Sequence, residues 1–581
     1  MLKLSRAALL AATLGLAAPA AFVLPVAAQE TQSPAVPFEL KIPSVVAIDS
    51  SMSEDQIKDV FTSNFLSQAD GLARLTASSI TIPEITLSIN MGEAGSGSVT
   101  YRDIVLTNVR DGLAEKLSVG SGETISQGET TRYETITADG FDLKRLLEFS
   151  GIVKGDANAA MKPVFGSAAS GGSTQTGPMY NCTFGPSSTA SLEAKPINVL
   201  LTDVIGVIEQ FKDADEPPPE AINVIVGYAV DIFRSFRGGA GTVGAVDCTV
   251  PGEMPIAIKV AGASTSNFEP GVYPEIKVDG FSVDAGPLGT GSLAQFLLKT
   301  IDLNPTLDAL ESAAGQLNDK WFEDNWRRVI PHFSGFSLSN FAIDSINPDN
   351  PEGPRIAAKF ANFDLSLAEY LNGIPTDVSA SLAGLEVPLP QDSTDPQIAM
   401  LLAAGLTGVN LGADIAASWN KDAKTIAVEK LALAAVDLGS LSISAEIGNA
   451  TEQVFDVNPE TAMVAGLGVT VKQVVITATD DGVGAIVWPL AAAQEGSTDV
   501  EAYRTQMAGM AEGVALQLLG STDAARQLGA ALGDFVTGRK GAVTITITSK
   551  DPNGIPLPLF MAAQEDPSIL TGQIDVTGVA Q

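Results

Sequence analysis

A two-residue alternation of apolar and hydroxyl side chains limits this chain to layered sheet. In the clearest run Val543, Ile545 and Ile547 fall on one side of an extended segment, and Thr544, Thr546 and Thr548 fall on the other. Ile256, Ile258 and Val260 repeat the period, as do Leu441, Ile443, Ala445 and Ile447. Ile80, Ile82, Ile85, Leu87 and Ile89 keep it with one slip at Pro83-Glu84, the mark of a bulge or an edge strand. Val469 to Thr479 and Val483 to Trp488 flank Asp480-Asp481-Gly482 and read as a hairpin. One apolar face and one Thr/Ser face suits an antiparallel sheet that meets water on one side.

Helices punctuate these strands. Ser53 is placed to cap a helix running to about Leu75, with Ile57, Val60, Phe61, Phe65 and Leu66 on one face. Asn304-Pro305 opens another, through Leu307, Leu310, Leu317, Trp321 and Trp326. Val500, Tyr503, Met507, Met510, Val514 and Leu518 step by three and four and read as a core stripe. Gly520 closes that helix, and Ser521 or Thr522 caps the next, which carries Leu528, Leu532 and Phe535. Ile398 to Val409 and Ile222 to Phe236 read as core helices, too short or too charged (Asp231, Arg234) to span a bilayer. The fold class expected is α+β and β-rich: curved antiparallel sheets with helices packed along one side, elongated.

The first 28 residues have the order of an export signal. Lys3 and Arg6 precede an apolar run from Ala7 to Val26, which closes on Val26-Ala27-Ala28 before Gln29-Glu30. Cleavage between Ala28 and Gln29 is expected, and an uncleaved anchor is the alternative. Pro19, Pro25 and the polar segment that follows favour cleavage, and no Cys at the junction indicates a lipid anchor. The expected location is the periplasm of a Gram-negative bacterium, or secretion, with no membrane span after cleavage.

Charge narrows the partners. The chain carries 34 basic and 68 acidic residues, and removing the leader takes away Lys3 and Arg6. So negative a surface repels phosphate backbones, which argues against nucleic acid, and favours cations and cationic partners. Yet 45% of the residues are hydrophobic and 18% charged. Thin packed sheets would account for this, and so would an aliphatic groove that holds lipid.

Cys182 and Cys248 are the only cysteines. In an oxidising compartment they are expected to pair, closing a loop of about 67 residues worth on the order of 4 kcal/mol in the chain-entropy treatment; two free thiols are the alternative. Between them Pro196 to Lys212 and Pro219 to Arg237 read as a helical hairpin, joined by the acidic, proline-rich turn from Asp213 and tied at its base. The expected division is a leader at 1–28, a β-rich unit with a helix at 29–160, and a Gly/Ser linker with the tied hairpin at 161–250. A middle β-rich and helical unit at 251–420 and a C-terminal β-rich unit with a helix pair at 421–581 complete it.

A loose repeat runs through the chain. Ala138-Asp-Gly-Phe-Asp-Leu-Lys-Arg-Leu-Leu-Glu-Phe149 is similar to Ala361-Asn-Phe-Asp-Leu-Ser-Leu-Ala-Glu-Tyr-Leu371, and Val278-Asp-Gly-Phe-Ser-Val283 and Ser334 to Phe341 echo its first half. Each is expected to place an aromatic residue after a strand and before a turn or helix. Together with the leader and the ending Ala542-Val-Thr-Ile-Thr-Ile-Thr-Ser-Lys-Asp-Pro-Asn-Gly-Ile-Pro-Leu-Pro-Leu-Phe560, these strands resemble uncharacterised periplasmic β-rich proteins of proteobacteria. Those in turn are distantly similar to AsmA-like envelope proteins, whose long curved sheets carry or shield lipid. The resemblance is spread from about residue 75 to the end and carries no functional residues across.

Catalytic motifs are missing. His332 is the sole histidine and sits among aromatics just past an amphipathic helix, so multi-histidine metal sites are excluded and a packing role is expected for it. There is no Gly-x-Ser-x-Gly elbow, no Walker loop and no dinucleotide fingerprint, so no cofactor is expected. Asp344, Asn347, Asp349, Asn350 and Glu352 crowd oxygen ligands into one loop, a weak calcium candidate without EF-hand register that reads more simply as an acidic turn. An outer-membrane barrel is disfavoured by the helices and by the ending Val579-Ala-Gln581. The reading is an envelope protein, leaning away from an enzyme, that binds lipid or another apolar molecule. A ligand-free scaffold, which would have other envelope proteins as partners, and a hydrolase using carboxylates are the alternatives.

Overall fold

A computed structural model describes residues 38–581 except 61–64, 91–95, 127, 212–217, 349, 392, 394 and 564–566. The leader, Ala28 and Gln29, Phe61, Asp213 and Asp349 therefore lie outside the described residues. The chain is β-rich with antiparallel sheets and several helices. It falls into two units, one of residues up to 286 together with 297–331, the other of 287–296 together with 332–581. This division differs from the five segments expected, because strands drawn from across 161–250 pair back onto 129–142 and forward onto 256–265.

In the first unit, long strands Ala77–Asn90 and Ser96–Val109 lie side by side. Their inner residues Ile80, Ile82 and Ile104 are buried with Ile57, Leu72, Leu117, Val119, Leu147 and Val164, so helices close this core. Ser53 opens the first helix through a capping box, its Oγ accepting from Gln56 N–H at 3.1 Å and its own N–H donating to Gln56 Oε1 at 2.9 Å. Helix Leu143–Phe149 is capped by Asp142 and carries a largely buried pair, Arg145 Nη1 to Glu148 Oε2 at 3.0 Å. The helix expected from Asn304 to Trp326 is broken in two, Asn304–Ser312 and Asp319–Asn325. Asn318 makes the break, its side-chain oxygen accepting from Trp321 N–H at 2.9 Å and capping the second piece.

Two expectations for 161–250 are corrected. The Gly/Ser-rich lead-in is strand: Ser167–Ser170 and Ser173–Thr176 pair with Ile136–Asp139 and Thr130–Tyr133. Small hydroxyl residues extend as readily as they loop when neighbouring strands take up their backbone groups. The disulfide does not tie the helices at their base. Cys182 and Cys248 face each other on Asn181–Phe184 and Val246–Val250, joined with an S–S distance of 2.09 Å. The same register continues through Ser187–Thr189 with Gly241–Val243 and Leu192–Ala194 with Phe236–Gly238. A strand ladder thus separates the bridge from helices Leu201–Gln210 and Pro219–Arg234.

The repeat has a physical basis at two of its copies. Gly140 and Gly280, both in Asp-Gly-Phe, sit within strands at φ +64. Opposite them, Gly166 N–H donates to Asp139 O at 2.7 Å and Ala261 N–H donates to Asp279 O at 2.9 Å. Each site is a kink at which one strand is interrupted for one residue. The copy at 361–371 departs from the expected place for its aromatic, after a strand and before a turn or helix, since Phe363 lies inside one continuous strand, Ile356–Leu371.

Among the described residues of the second unit, nine strands form an antiparallel meander, each paired with the next: β1 (Gly335–Ser345), β2 (Ile356–Leu371), β3 (Ile374–Pro388), β4 (Gly408–Asn420), β5 (Thr425–Ala435), β6 (Gly439–Gly448), β7 (Thr470–Asp480), β8 (Ala542–Ser549) and β9 (Ile574–Ala580). Helix α1 (Pro396–Ala403) lies between β3 and β4, and α2 (Pro459–Leu467) between β6 and β7. Helices α3 (Gly484–Gln494), α4 (Val500–Leu519) and α5 (Asp523–Val536) lie between β7 and β8. Asp499 and Thr522 cap α4 and α5, and Gly520 separates them at φ +70.

Three further expectations are corrected here. Val483 to Trp488 is helical, because Asp480 Oδ1 accepts from Gly482 and Gly484 N–H at 3.0 and 2.9 Å and starts α3 in place of a hairpin. Ile398 to Val409 is split between α1 and β4. On α4 the packed residues are Ala508 and Ala515, while Met510 and Val514 are exposed, so that stripe is not core.

A backbone test follows from the paired kinks. A Cβ at Gly280 would stand 2.7 Å from Ala261 Cβ, whereas at Gly140 the nearest atom is 3.8 Å away. Gly140→Ala should cost about 1 kcal/mol for the left-handed conformation alone, and Gly280→Ala about 2 to 3 kcal/mol with the clash added. Urea unfolding midpoints of the two variants compare them directly.

Candidate functional site

Register carries the alternation across the whole second unit. One row runs Phe336, Leu365, Ala380, Ile415, Leu431, Ile443, Ile476, Ile545, Gly578 from β1 to β9. A second row runs Leu338, Phe363, Leu382, Ala413, Leu433, Leu441, Ala478, Val543, Ala580 on the same side. The row between them runs Ser337, Asp364, Ser381, Asp414, Ala432, Ser442, Thr477, Thr544 on the other side. There Lys430 Nζ meets Asp414 Oδ2 at 2.6 Å and Thr477 meets Thr544 at 3.2 Å. One face is aliphatic and the other carries hydroxyls and charge.

Cover on the aliphatic face is uneven. Over β8 and β9 it is closed by α5, whose Leu528 Cα lies 2.9 Å from where a Gly578 Cβ would stand. Val543 and Val576 are there only 5% and 7% exposed. Small residues permit this approach: Ala525, Gly529, Ala531 and Gly533 are the buried positions of α5, with α4 packed against it. Over β4 to β6 the same rows stay open, with Ile415 47%, Leu431 47%, Leu433 55% and Leu441 46% exposed. A contiguous aliphatic strip left in water is the signature of a binding surface.

The two ends of the strip differ. At one end Trp419 and Phe455 pack at 5.0 Å and Trp419 Nε1 donates to Ala450 O at 2.7 Å. With Ala450, Val469 and Ile555 buried, this end is closed. At the other end, Val387 and Val409 pair at the tips of β3 and β4 and open on a cleft of about 910 Å³. Its wall also holds Lys359, Glu386, Asn410 and Asp437. Lys359 Nζ lies 2.8 Å from Glu386 Oε2, and Asn410 Oδ1 is buried with no hydrogen-bond partner among the described residues. The chemistry available along the strip is apolar contact, while Lys359, Glu386 and Asn410, paired in one row, stand on the hydroxyl face.

The residues singled out from sequence lie elsewhere. His332 stacks on Tyr370 with ring centres 4.2 Å apart and planes 8° apart. The Tyr370 hydroxyl donates to Phe333 O at 2.7 Å, and burial pushes its pKa above the ordinary value. Asp344 is ion-paired to Arg355. Asn350 N–H donates to Asn347 O at 3.1 Å in a tight turn, and Glu352 is exposed. Among the described residues no three His, Cys, Asp or Glu side chains stand together as a metal site requires. Among them, too, no helix is long and apolar enough to cross a membrane. Sequence reading missed the strip as a site, although its signal was present: β4, β5 and β6 follow one another with no helix between them to cover their apolar rows.

A family described only as an uncharacterized protein matches residues 432–581, from the end of β5 to the terminus. No curated protein matches the chain. No solved structure matches it.

Open and covered parts of the face should respond differently to substitution. Leu433→Ser should cost less than about 1 kcal/mol, whereas Val543→Ala should cost about 2 kcal/mol because it leaves a cavity under α5. Equal losses in urea unfolding would mean that the strip is covered in the free protein.

Proposed function

We propose that this chain is an exported periplasmic protein of the cell envelope that binds the acyl chains of lipid along the open face of β4 to β6. The reading rests on one observation, the half-exposed row of Ile415, Leu431, Leu433 and Leu441 in a sheet whose equivalent residues are buried at β8 and β9. From Val409 at its open end to Trp419 at its closed end the strip follows ten residue steps of β4 at ~3.3 Å each, about 33 Å, twice the ~15 Å that one leaflet of a bilayer core occupies. The strip therefore has length for the chains of one lipid laid along it. Burying about ten methylenes yields about 8 kcal/mol, against a cost of roughly 4 to 15 kcal/mol for association. Two-chain lipids should accordingly bind where single short chains do not. The resemblance to AsmA-like envelope proteins points the same way.

Lipid extracted from the purified protein and identified by mass spectrometry tests the proposal, together with uptake of fluorescent phospholipid from vesicles. Leu433→Asp combined with Leu441→Asp should reduce uptake at least tenfold, while Ser442→Asp on the opposite face should leave it unchanged. A lipid-free preparation that also takes up none refutes the reading. Export is tested separately: protein sequencing of the mature chain should begin at Gln29.

A further inference from the structure

Resting on the lipid-binding strip just described, we infer that the strip selects its lipid by acyl-chain length, with Trp419 as the residue that sets the limit. Strand alternation puts Ile415, Ala417 and Trp419 of β4 on the aliphatic face, so a chain running down β4 meets a methyl group and then an indole. Exposure falls along the same path. Leu433 and Ile415 are 55% and 47% exposed, whereas Ala417, Trp419 and the Ile426 that pairs with Trp419 are only partly exposed.

The wall at this end is fixed from three directions. Trp419 Nε1 donates to Ala450 O at 2.7 Å, and the indole packs on Phe455 with ring centres 5.0 Å apart. Ala450, which receives the indole N–H, is fully buried. Phe455 ends the short helical turn Glu452–Phe455, and that turn is held to the strand ends: Asn372 Nδ2 donates to Phe455 O at 3.0 Å, and Lys421 Nζ lies 2.6 Å from Glu452 Oε1. An aromatic pair tied in this way does not swing aside for a chain.

Length turns the stop into a limit. Val409 to Ala417 is eight residue steps of β4 at ~3.3 Å each, about 26 Å of aliphatic floor. A straightened hydrocarbon chain advances about 1.25 Å per carbon, the projection of a ~1.5 Å bond at an angle of about 111°, so about twenty carbons fit before the indole. The polar end of the lipid then lies at the open end. Methylenes beyond that number stay in water there, and each lowers binding roughly fourfold.

Equilibrium uptake by the full mature chain is compared from vesicles of phosphatidylcholine whose two chains have fourteen, eighteen or twenty-four carbons. The wild type should favour eighteen over twenty-four carbons at least tenfold. Trp419→Ala opens the wall and should lower that preference at least fivefold. Ala417→Phe brings the stop one row, about 7 Å, nearer the open end, and should lower uptake of eighteen carbons at least fivefold relative to fourteen. Thermal melts identify a variant whose fold is lost, and the other variant then decides. Equal wild-type uptake of eighteen and twenty-four carbons, or folded variants with the wild-type preference, overturns the length limit while uptake itself keeps the strip. Absence of uptake at every length overturns the strip and this limit with it.

Discussion

Everything in the second unit depends on one constraint: nine strands hold their register closely enough that the aliphatic residues share a face. Simple alternation would not maintain this over strands of up to sixteen residues. Local irregularities restore the phase. The pairing shifts between Leu382 and Leu385, between Val428 and Leu431, and between Glu446 and Ile447, where Lys472 is the extra residue. The second of these sets Glu429 and Lys430 outside the aliphatic row and returns Leu431 to it. Were any of them absent, half of a strand would present its aliphatic residues to the wrong face.

These shifts were legible in the sequence as a principle, though not at each position. The slip at Pro83-Glu84 belongs to the same class: Pro83 lies opposite Asp103, which adopts φ +56. Leu382 to Leu385 and Val428 to Leu431 show the same spacing of three inside a run of two. The strands were readable because their alternation is set by burial on one side, a property of each strand taken alone. The helical stripe of α4 was misread for the complementary reason. Its apolar residues have helical spacing, but the partner that buries α4 is the small-residue surface of α5, which selects Ala508 and Ala515 over Met510 and Val514. Which of two possible faces a helix buries is decided by its neighbour's shape, and spacing does not encode that.

The units handle the same amphipathic problem differently. In the first, the helices from Glu54 and Leu143 lie on the aliphatic side and complete a closed core with Ile80, Ile104 and Leu147. In the second, α5 lies directly on the aliphatic rows of β8 and β9. Its close packing depends on Gly578, where Ile545 pairs with a residue that has no side chain. Further along the same row, β4 to β6 carry Ile415, Leu431 and Ile443, side chains too bulky for a helix backbone to approach in the same way. The limit of the cover is thus set by side-chain size along each row.

An open aliphatic strip invites two copies to stack face to face, and the charge of the chain bears on that. Acidic residues outnumber basic ones by two to one, and Asp364 and Asp414 on the sheet stand on the hydroxyl face. Like charge raises the cost of bringing two whole molecules together without touching the affinity of the strip for a neutral hydrocarbon chain. The cost of approach falls on a second protein and not on a small apolar ligand. Excess negative charge beside unusual hydrophobicity, two properties that oppose each other in composition, then act on different partners of the same surface.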